Sequence, residues 1–149
     1  KNKISIRPSL IAFTPWTTPE DYMELLNFIE KNELVYEIEP IQMSIRLLVP
    51  PGSSLLELKD LQKHIVKFEP DKFMHTWKHP DSKMELLNYK ISKIVGNHTA
   101  INKDPLETFI EIKKEFSLIF PEKIDHKNIT FQAKKHTIKP PKLTESWFC

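Results

Sequence analysis

The chain has 149 residues, with 2 glycines, 12 prolines and 1 cysteine, and its 22 basic and 20 acidic residues leave a net charge of +2. The two glycines, Gly52 and Gly96, stand far apart, which excludes a P-loop and a dinucleotide-binding fingerprint. The balanced charge argues against nucleic acid as a partner, the short apolar runs exclude a membrane-spanning segment, and the single cysteine excludes an internal disulfide. Because no basic-then-apolar leader opens the sequence, we expect a cytoplasmic location.

The first part of the chain predicts a strand, a helix and a second strand. The apolar run at residues 9–13 is typical of a buried strand, and Thr18 before Pro19 marks the N-terminus of a helix. This helix of about fifteen residues would bury the face that is formed by Tyr22, Leu25, Leu26 and Ile29. Alternating side chains at residues 41–49 predict the second strand. Because a crossover helix joins them, the two strands should run parallel.

The second part of the chain predicts helices and then a basic tail. Residues 55–66 are a weak helical candidate, and Ser82 and Glu85 have the spacing of a capping box. Asp104 before Pro105 repeats the N-cap pattern. The buried faces of these two later helices would be formed by Met84, Leu87, Ile91 and Ile94 and by Phe109, Ile112, Phe116 and Ile119.

Gln42, Ser44 and Arg46 would form a polar stripe on the second predicted strand. A strand inside a parallel sheet is usually apolar on both faces, so the stripe indicates that one face meets something polar. If this strand lines the interior of a barrel, Arg46 would hold a carboxylate or phosphate while Gln42 and Ser44 orient a substrate. If the strand lies at an edge of the sheet, the stripe would face solvent.

Thr14 and Trp16 lie in the loop that joins the first predicted strand to its helix. Loops in this position bind ligands in α/β sheets and barrels, because they lie at the carboxyl ends of the strands. Threonine near a helix N-terminus also serves capping, and tryptophan also serves packing. The loop is therefore a candidate binding segment with an equally simple structural explanation.

His75, His79 and Asp81 are close enough in sequence to suggest a metal site. Pro80 disfavours helix directly after His79, however, and no third and fourth ligand follow at a suitable spacing. A packed loop that leads into the next helix is the alternative that we favour. Cys149, the last residue, indicates no chemistry when its sequence neighbours are considered alone.

Four stretches of the sequence, taken in order, resemble the C-terminal part of one protein family. They are IAFTPWTT at residues 11–18, QMSIRLLVPPGS at 42–53, WKHPD at 77–81 and PKLTESWFC at 141–149. The family is that of the radical SAM proteins that carry a cobalamin-binding-type domain and end in a CCAEP or CUAEP tail. The matching stretches are spread over nearly the whole chain.

This resemblance implies an α/β fold that ends a partial (β/α) radical SAM barrel. Residues 1–56 would be the C-terminal part of the barrel, a strand–helix–strand unit. Residues 57–120 would be a mainly helical extension after the barrel, and residues 121–149 a basic tail that ends in the truncated Cys motif. The N-terminal half of such a protein carries a CxxxCxxC motif for a [4Fe–4S] cluster, and this chain has no such motif. The resemblance thus implies a fragment that is not active alone.

For the parent protein the resemblance implies a radical SAM enzyme. A [4Fe–4S] cluster held by the missing half would cleave S-adenosylmethionine and start radical chemistry on an unknown small-molecule or peptide substrate. Cobalamin is a further cofactor that the family suggests, and the fragment alone would hold none of these groups. Its partner would be the rest of its own chain. The alternative is a free-standing, non-catalytic binding or interaction domain that uses the polar stripe or the basic tail.

The resemblance also gives roles to the candidate residues. Gln42, Ser44 and Arg46 would fall on a late barrel strand, whose inner face borders S-adenosylmethionine or substrate in such enzymes. Thr14 and Trp16, which follow the preceding strand, would be second candidates for the same contact. All five would therefore contribute to cofactor binding.

Cys149 gains a role in the same way. In the family, the residue after the first tail cysteine is a second cysteine or a selenocysteine, and the selenocysteine codon is otherwise read as a stop. A vicinal pair of this kind is redox-active where a lone cysteine is not. The resemblance makes Cys149 a candidate catalytic thiol, followed by selenocysteine if the parent is a selenoprotein.

Overall fold

The structure, a computed structural model, describes residues 8–123. These residues form a mixed helix and strand fold, which confirms the predicted α/β class at a coarse level. Four helices and two strands follow one another as α1 (Pro19–Lys31), α2 (Lys59–Gln62), β1 (Ile65–Glu69), β2 (Met74–Trp77), α3 (Ser82–Ala100) and α4 (Pro105–Ile119). Short 3-10 turns lie at Pro40–Met43, Ser54–Glu57, Pro70–Lys72 and Pro121–Lys123. None of the helices in this part of the chain is long and apolar enough to cross a bilayer.

Helix α1 begins where the sequence predicts. Thr18 Oγ1 accepts from the Asp21 N–H at 3.1 Å, and Asp21 Oδ2 accepts from the Thr18 N–H at 2.8 Å, which completes a capping box. These hydrogen bonds hold the pKa of Asp21 below its ordinary value. Tyr22, Leu26 and Ile29 are fully buried, as expected for one apolar face.

The two predicted strands on either side of α1 meet at one parallel bridge, between Phe13 and Arg46. The Phe13 N–H donates to Ile45 O at 3.0 Å, and the Leu47 N–H donates to Phe13 O at 2.7 Å. Parallel pairing across a crossover helix is therefore confirmed at this bridge. The first segment, residues 9–13, and the second segment, residues 45–47, are called the parallel pair below. The predicted strand over residues 9–13 is wrong, because only Phe13 of that segment enters the bridge. The predicted continuous strand over residues 41–49 is also wrong, because Pro40 starts a 3-10 turn that includes residues 41–43.

Strands β1 and β2 form an antiparallel hairpin that the sequence did not predict. The helix predicted over residues 55–66 is wrong, because it is broken into a 3-10 turn and the four-residue α2 and then gives way to β1. β-branched and aromatic residues such as Val66 and Phe68 favour a strand where a partner can pair with them. The hairpin turn ends at Phe73, whose φ of 50° lies in the left-handed region. The expected helical extension thus contains a sheet.

Helices α3 and α4 form a helical hairpin, in agreement with the predicted helices. The N-cap of α3 is Asp81, whose side chain accepts from the Lys83 N–H at 2.8 Å, so the predicted capping box at Ser82 is wrong. The N-cap of α4 is Asp104, as predicted, and its side chain accepts from the Leu106 N–H. Both helices bury the predicted faces, in particular Met84, Leu87, Ile91, Phe109, Ile112 and Phe116.

The core lies between the first segment of the parallel pair, α1, α3 and α4. The ring of Tyr22 lies 4.9 Å from that of Phe13 and 6.0 Å from that of Phe116, measured between centroids. Tyr22 is fully buried, and its hydroxyl donates to Met43 O at 2.9 Å. The core therefore fixes α1 against the segment that carries Arg46. Cys149 and most of the predicted basic tail lie outside the described residues.

Candidate functional site

Arg46 lies at the centre of a polar network between the parallel pair, β2 and α3. Its Nη1 and Nη2 atoms donate to Glu85 Oε2 and Oε1 at 2.9 and 2.8 Å. The same two nitrogens donate to Asn88 Oδ1 at 3.3 Å and to the Trp77 backbone O at 3.0 Å. The guanidinium carbon also lies 3.9 Å from the centroid of the Trp77 ring. All four Nη hydrogens therefore have acceptors within this chain.

Glu85 receives a further hydrogen bond from the backbone of the loop that precedes α3. The His79 N–H donates to Glu85 Oε1 at 2.5 Å. Burial raises the pKa of Glu85, but the hydrogen bonds from Arg46 and from the His79 amide, together with the Arg46 charge, lower it more. The net effect is a pKa below the ordinary value of 4.5, so Glu85 is a carboxylate at neutral pH.

Gln42 and Ser44 do not share one open face with Arg46. Gln42 Oε1 accepts from the Leu10 N–H at 2.8 Å, and Ser44 Oγ donates to Ile41 O at 2.8 Å within the 3-10 turn. Ser44 is buried, and its backbone O accepts from Asn88 Nδ2 at 3.0 Å. Ser44 and Arg46 are thus brought together through Asn88, whereas Gln42 faces the start of the first segment.

Thr14 and Trp16 occupy a compact loop, residues 14–18, at the carboxyl end of the first segment. The Oγ1 atoms of Thr14 and Thr17 lie 2.9 Å apart, and the Thr14 N–H donates to Thr17 Oγ1 at 3.0 Å. Trp16 Nε1 donates to Asp60 Oδ2 at 3.2 Å, and 40% of the residue is exposed. The indole ring is the large apolar surface that this loop offers to a ligand.

His75 and His79 do not face a common point. The His75 ring packs against Phe68 in the hairpin in a tilted arrangement, with a centroid distance of 5.1 Å. His79 is buried and uses both ring nitrogens, with Nδ1 2.9 Å from the Asp81 N and Nε2 3.0 Å from Thr17 O. Among residues 8–123 there is no group of three or more His, Cys, Asp or Glu side chains suited to a metal ion.

A second polar cluster joins the ends of α3 and α4. His98 Nδ1 lies 3.0 Å from Thr108 Oγ1, and its Nε2 lies 3.1 Å from Glu111 Oε2. Lys103 Nζ lies 3.2 Å from the same Nε2 and 3.4 Å from Glu111 Oε2. These contacts pair the buried His98 with groups of its own helical hairpin.

Sequence reasoning missed three members of the Arg46 network: Trp77, Glu85 and Asn88. The sequence pattern assigns Glu85 to a capping box with Ser82, although the N-cap is Asp81, one residue earlier. The Trp-Lys-His-Pro-Asp motif at residues 77–81 was the available signal, because it packs indole, imidazole and carboxylate groups into one short loop. The partner that each of them takes depends on the tertiary fold.

Comparison of the chain with protein-family models, with curated proteins and with solved structures gives no match in any of the three. The site is therefore defined by its own geometry. It consists of the Arg46 network, the exposed Trp16 loop and the 77–81 motif that lies between them.

Proposed function

We propose that this chain is the C-terminal portion of a radical SAM enzyme. The parent protein would use a [4Fe–4S] cluster, held by its N-terminal half, to cleave S-adenosylmethionine and start radical chemistry on a substrate. The chain would supply the last strand–helix–strand unit of the barrel and the helices that follow it. The four stretches that resemble the family support this proposal.

The parallel bridge between Phe13 and Arg46 is the structural observation that carries the proposal. Two segments that pair in parallel on either side of a crossover helix are the repeating unit of (β/α) barrels. In such barrels ligands bind at the carboxyl ends of the strands. In this chain that edge carries the 14–18 loop, in which Trp16 is exposed.

The residues of this chain do not fit the iron–sulfur cluster. A [4Fe–4S] cluster needs several cysteine thiolates, and the chain has one cysteine. The cluster would therefore be bound entirely by another part of the parent protein. The contribution expected from this chain is contact with S-adenosylmethionine or substrate through Thr14 and Trp16.

Arg46 would contribute to that site by holding the second segment of the parallel pair in place. Because its four Nη hydrogens are donated to Glu85, Asn88 and Trp77, a ligand carboxylate would have to displace one of these partners. The ion pair instead ties the second segment of the parallel pair to α3. This support would keep the carboxyl edge of the barrel unit in one geometry.

A second candidate function is a free-standing interaction domain. The β1–β2 hairpin favours it, because Val66 is 62% exposed and Phe73 is 68% exposed. Exposed apolar side chains grouped on one hairpin are typical of surfaces that contact other proteins. This candidate predicts a function that needs neither S-adenosylmethionine nor a cluster.

The first test is the gene itself. The reading frame upstream of Lys1 should encode a CxxxCxxC motif, and the codon after Cys149 should be UGA followed by codons for Ala-Glu-Pro. A start codon directly before Lys1, with no cysteine motif and no such tail, would favour the interaction domain.

The second test uses the protein encoded by the full reading frame. After anaerobic cluster reconstitution it should release 5′-deoxyadenosine from S-adenosylmethionine. Trp16→Ala should weaken the binding of S-adenosylmethionine, whereas Leu118→Ala, which changes an exposed residue of α4, should leave binding unchanged. A reconstituted protein that cleaves no S-adenosylmethionine contradicts the proposal.

A further inference from the structure

We propose that residues 77–81, the Trp-Lys-His-Pro-Asp motif, form a clamp that holds the two carboxyl ends of the parallel pair. Trp77 and His79 are then positioning residues for the 14–18 loop and its exposed Trp16. The importance of that edge for ligand binding rests on the proposed function. The clamp itself is a statement about contacts in this chain.

Trp77 is the arm of the clamp that holds the second segment. Its Nε1 donates to Leu47 O at 2.8 Å, and the residue is 7% exposed. The Leu47 N–H donates in turn to Phe13 O. Both backbone groups of Leu47 are therefore held: its N–H pairs with the first segment, and its carbonyl oxygen accepts from Trp77.

His79 is the arm that holds the first segment. His79 Nδ1 lies 2.9 Å from the Asp81 N and 3.2 Å from the Asp81 O. Because the Asp81 N–H can only donate and makes the shorter contact, we assign Nδ1 as its acceptor and the ring proton to Nε2. Nε2 then donates to Thr17 O at 3.0 Å. This hydrogen bond holds the end of the 14–18 loop from outside, because the Thr17 N–H and hydroxyl already bind Thr14.

The base of the clamp is fixed to helix α3. The His79 N–H binds Glu85, and the Asp81 side chain caps the first turn of the helix. Glu85 also binds Arg46, which stacks on Trp77. Trp77 and His79 are thus both anchored to α3. A change in the position of α3 would therefore displace both segments of the parallel pair at once.

The geometry also explains why the His-Pro-Asp sequence suits this role better than metal binding. His79 Nδ1 accepts from the Asp81 amide and Nε2 donates to Thr17 O, so neither ring nitrogen offers a lone pair to an ion. Pro80 limits the backbone between His79 and Asp81, which keeps the Asp81 amide beside the ring. The motif therefore gives His79 Nδ1 an acceptor role and Nε2 a donor role.

A pair of conservative variants tests the His79 arm. His79→Gln keeps an N–H donor near the Nε2 position, whereas His79→Asn keeps an acceptor near the Nδ1 position and cannot reach Thr17. In His79→Asn, amide exchange at Thr14 and Thr17 should accelerate by about fivefold relative to helix α4, which corresponds to the loss of one hydrogen bond. In His79→Gln the exchange at these two amides should stay near the wild-type rate.

Two further measurements keep the test decisive even if one variant fails to fold. Long-range proton–nitrogen spectra of the wild-type chain should show His79 protonated at Nε2 and unprotonated at Nδ1. Trp77→Phe, which keeps a ring and loses the N–H, should accelerate exchange of the Leu47 amide. His98→Gln, which changes a buried histidine outside the clamp, should leave the Thr14, Thr17 and Leu47 amides at their rates relative to α4.

An Nδ1-protonated His79, or equal acceleration at every amide in both His79 variants, would overturn the clamp. These measurements need neither S-adenosylmethionine nor a cluster. A chain that passes them while the full reading frame shows no cluster motif would keep the clamp and lose the proposed function. A radical SAM parent with an Nδ1-protonated His79 would keep the proposed function and overturn the clamp.

Discussion

Arg46 and Glu85, 39 residues apart in sequence, form a two-point ion pair with nitrogen–oxygen distances of 2.8 and 2.9 Å. Their side chains are 29% and 25% exposed, so solvent screens the pair only in part. The pair connects the second segment of the parallel pair to the first turn of α3. A single hydrogen bond between the two side chains would not fix their relative orientation as these two parallel hydrogen bonds do.

We expect Glu85→Ala to lower the free energy of unfolding by about 2 kcal/mol, because it leaves hydrogen bonds to a charged group unmade. Arg46→Lys should cost a similar amount, since an ammonium cannot reproduce the two parallel N–H donors. Urea titration followed by circular dichroism measures both. Their combination in one chain should cost less than the sum, and strict additivity would contradict a direct pair.

The same pair predicts a pH dependence. The pKa of Glu85 is lowered in the folded chain, so its contribution is complete above the unfolded value and is lost as pH falls through the lower, folded value. Glu85→Gln should therefore flatten the decrease in stability below about pH 4.5. Glu57→Gln removes the charge of an exposed carboxylate and should leave that slope unchanged.

Tyr22 gives a prediction at the other end of the pH scale. Burial raises the pKa of Tyr22 well above its ordinary value of 10.0. The folded state keeps the proton that the unfolded state releases, so stability falls as pH rises above that ordinary value. Tyr22→Phe should reduce this alkaline decrease, which urea titrations at a series of alkaline pH values would measure.

Near neutral pH, Tyr22→Phe should cost about 1–2 kcal/mol, because Met43 O then loses its buried donor. Tyr89→Phe is the matched control, since Tyr89 is 54% exposed. Equal behaviour of the two variants would mean that the Tyr22 hydroxyl is not buried as described.

The two glycines predict opposite effects of the same substitution. Gly52 has a φ of 78°, and the Ser53 N–H donates to Pro50 O across the turn, so Gly52→Ala should destabilise by about 1 kcal/mol. Gly96 lies inside α3, and an added Cβ would meet nothing within 4 Å. Gly96→Ala should therefore stabilise by about 0.8 kcal/mol. Thermal unfolding of both variants gives the sign of each effect.

The start of α3 offers another matched pair. Asp81→Ala removes the side chain that accepts from the Lys83 N–H and should cost about 1 kcal/mol. Ser82→Ala changes the first helical residue and should be nearly neutral. If Ser82→Ala cost more than Asp81→Ala, the helix would begin with the capping box that the sequence suggests.

Helices were predictable from this sequence because their signals are local. The Thr18 capping box and the Asp104 N-cap depend on residues within one turn, and the apolar faces of α1, α3 and α4 follow a helical period. The class of the fold could be predicted for the same reason. The crossover between parallel segments could also be predicted, because helix length and flanking apolar runs limit the connection.

The hairpin and the polar network were not predictable in the same way. Ile65 and Val66 extend an apolar run that also fits a helix, and their strand conformation depends on pairing with β2. Pro40 turned the first residues of an alternating run into a 3-10 turn. Arg46 could be singled out as important, but its partner Glu85 is chosen by the packing of α3.

The ion pair between Glu30 and Lys113 joins residues 83 positions apart, and His79 reaches back 62 positions to Thr17. During synthesis on the ribosome, α1 and the parallel bridge emerge long before these partners exist. The unit formed by α1 and the parallel pair therefore lacks its clamp until α3 has left the exit tunnel, and it lacks Lys113 until most of α4 has followed. The full set of contacts to α1 and the 14–18 loop is therefore complete only when α4 has been synthesised.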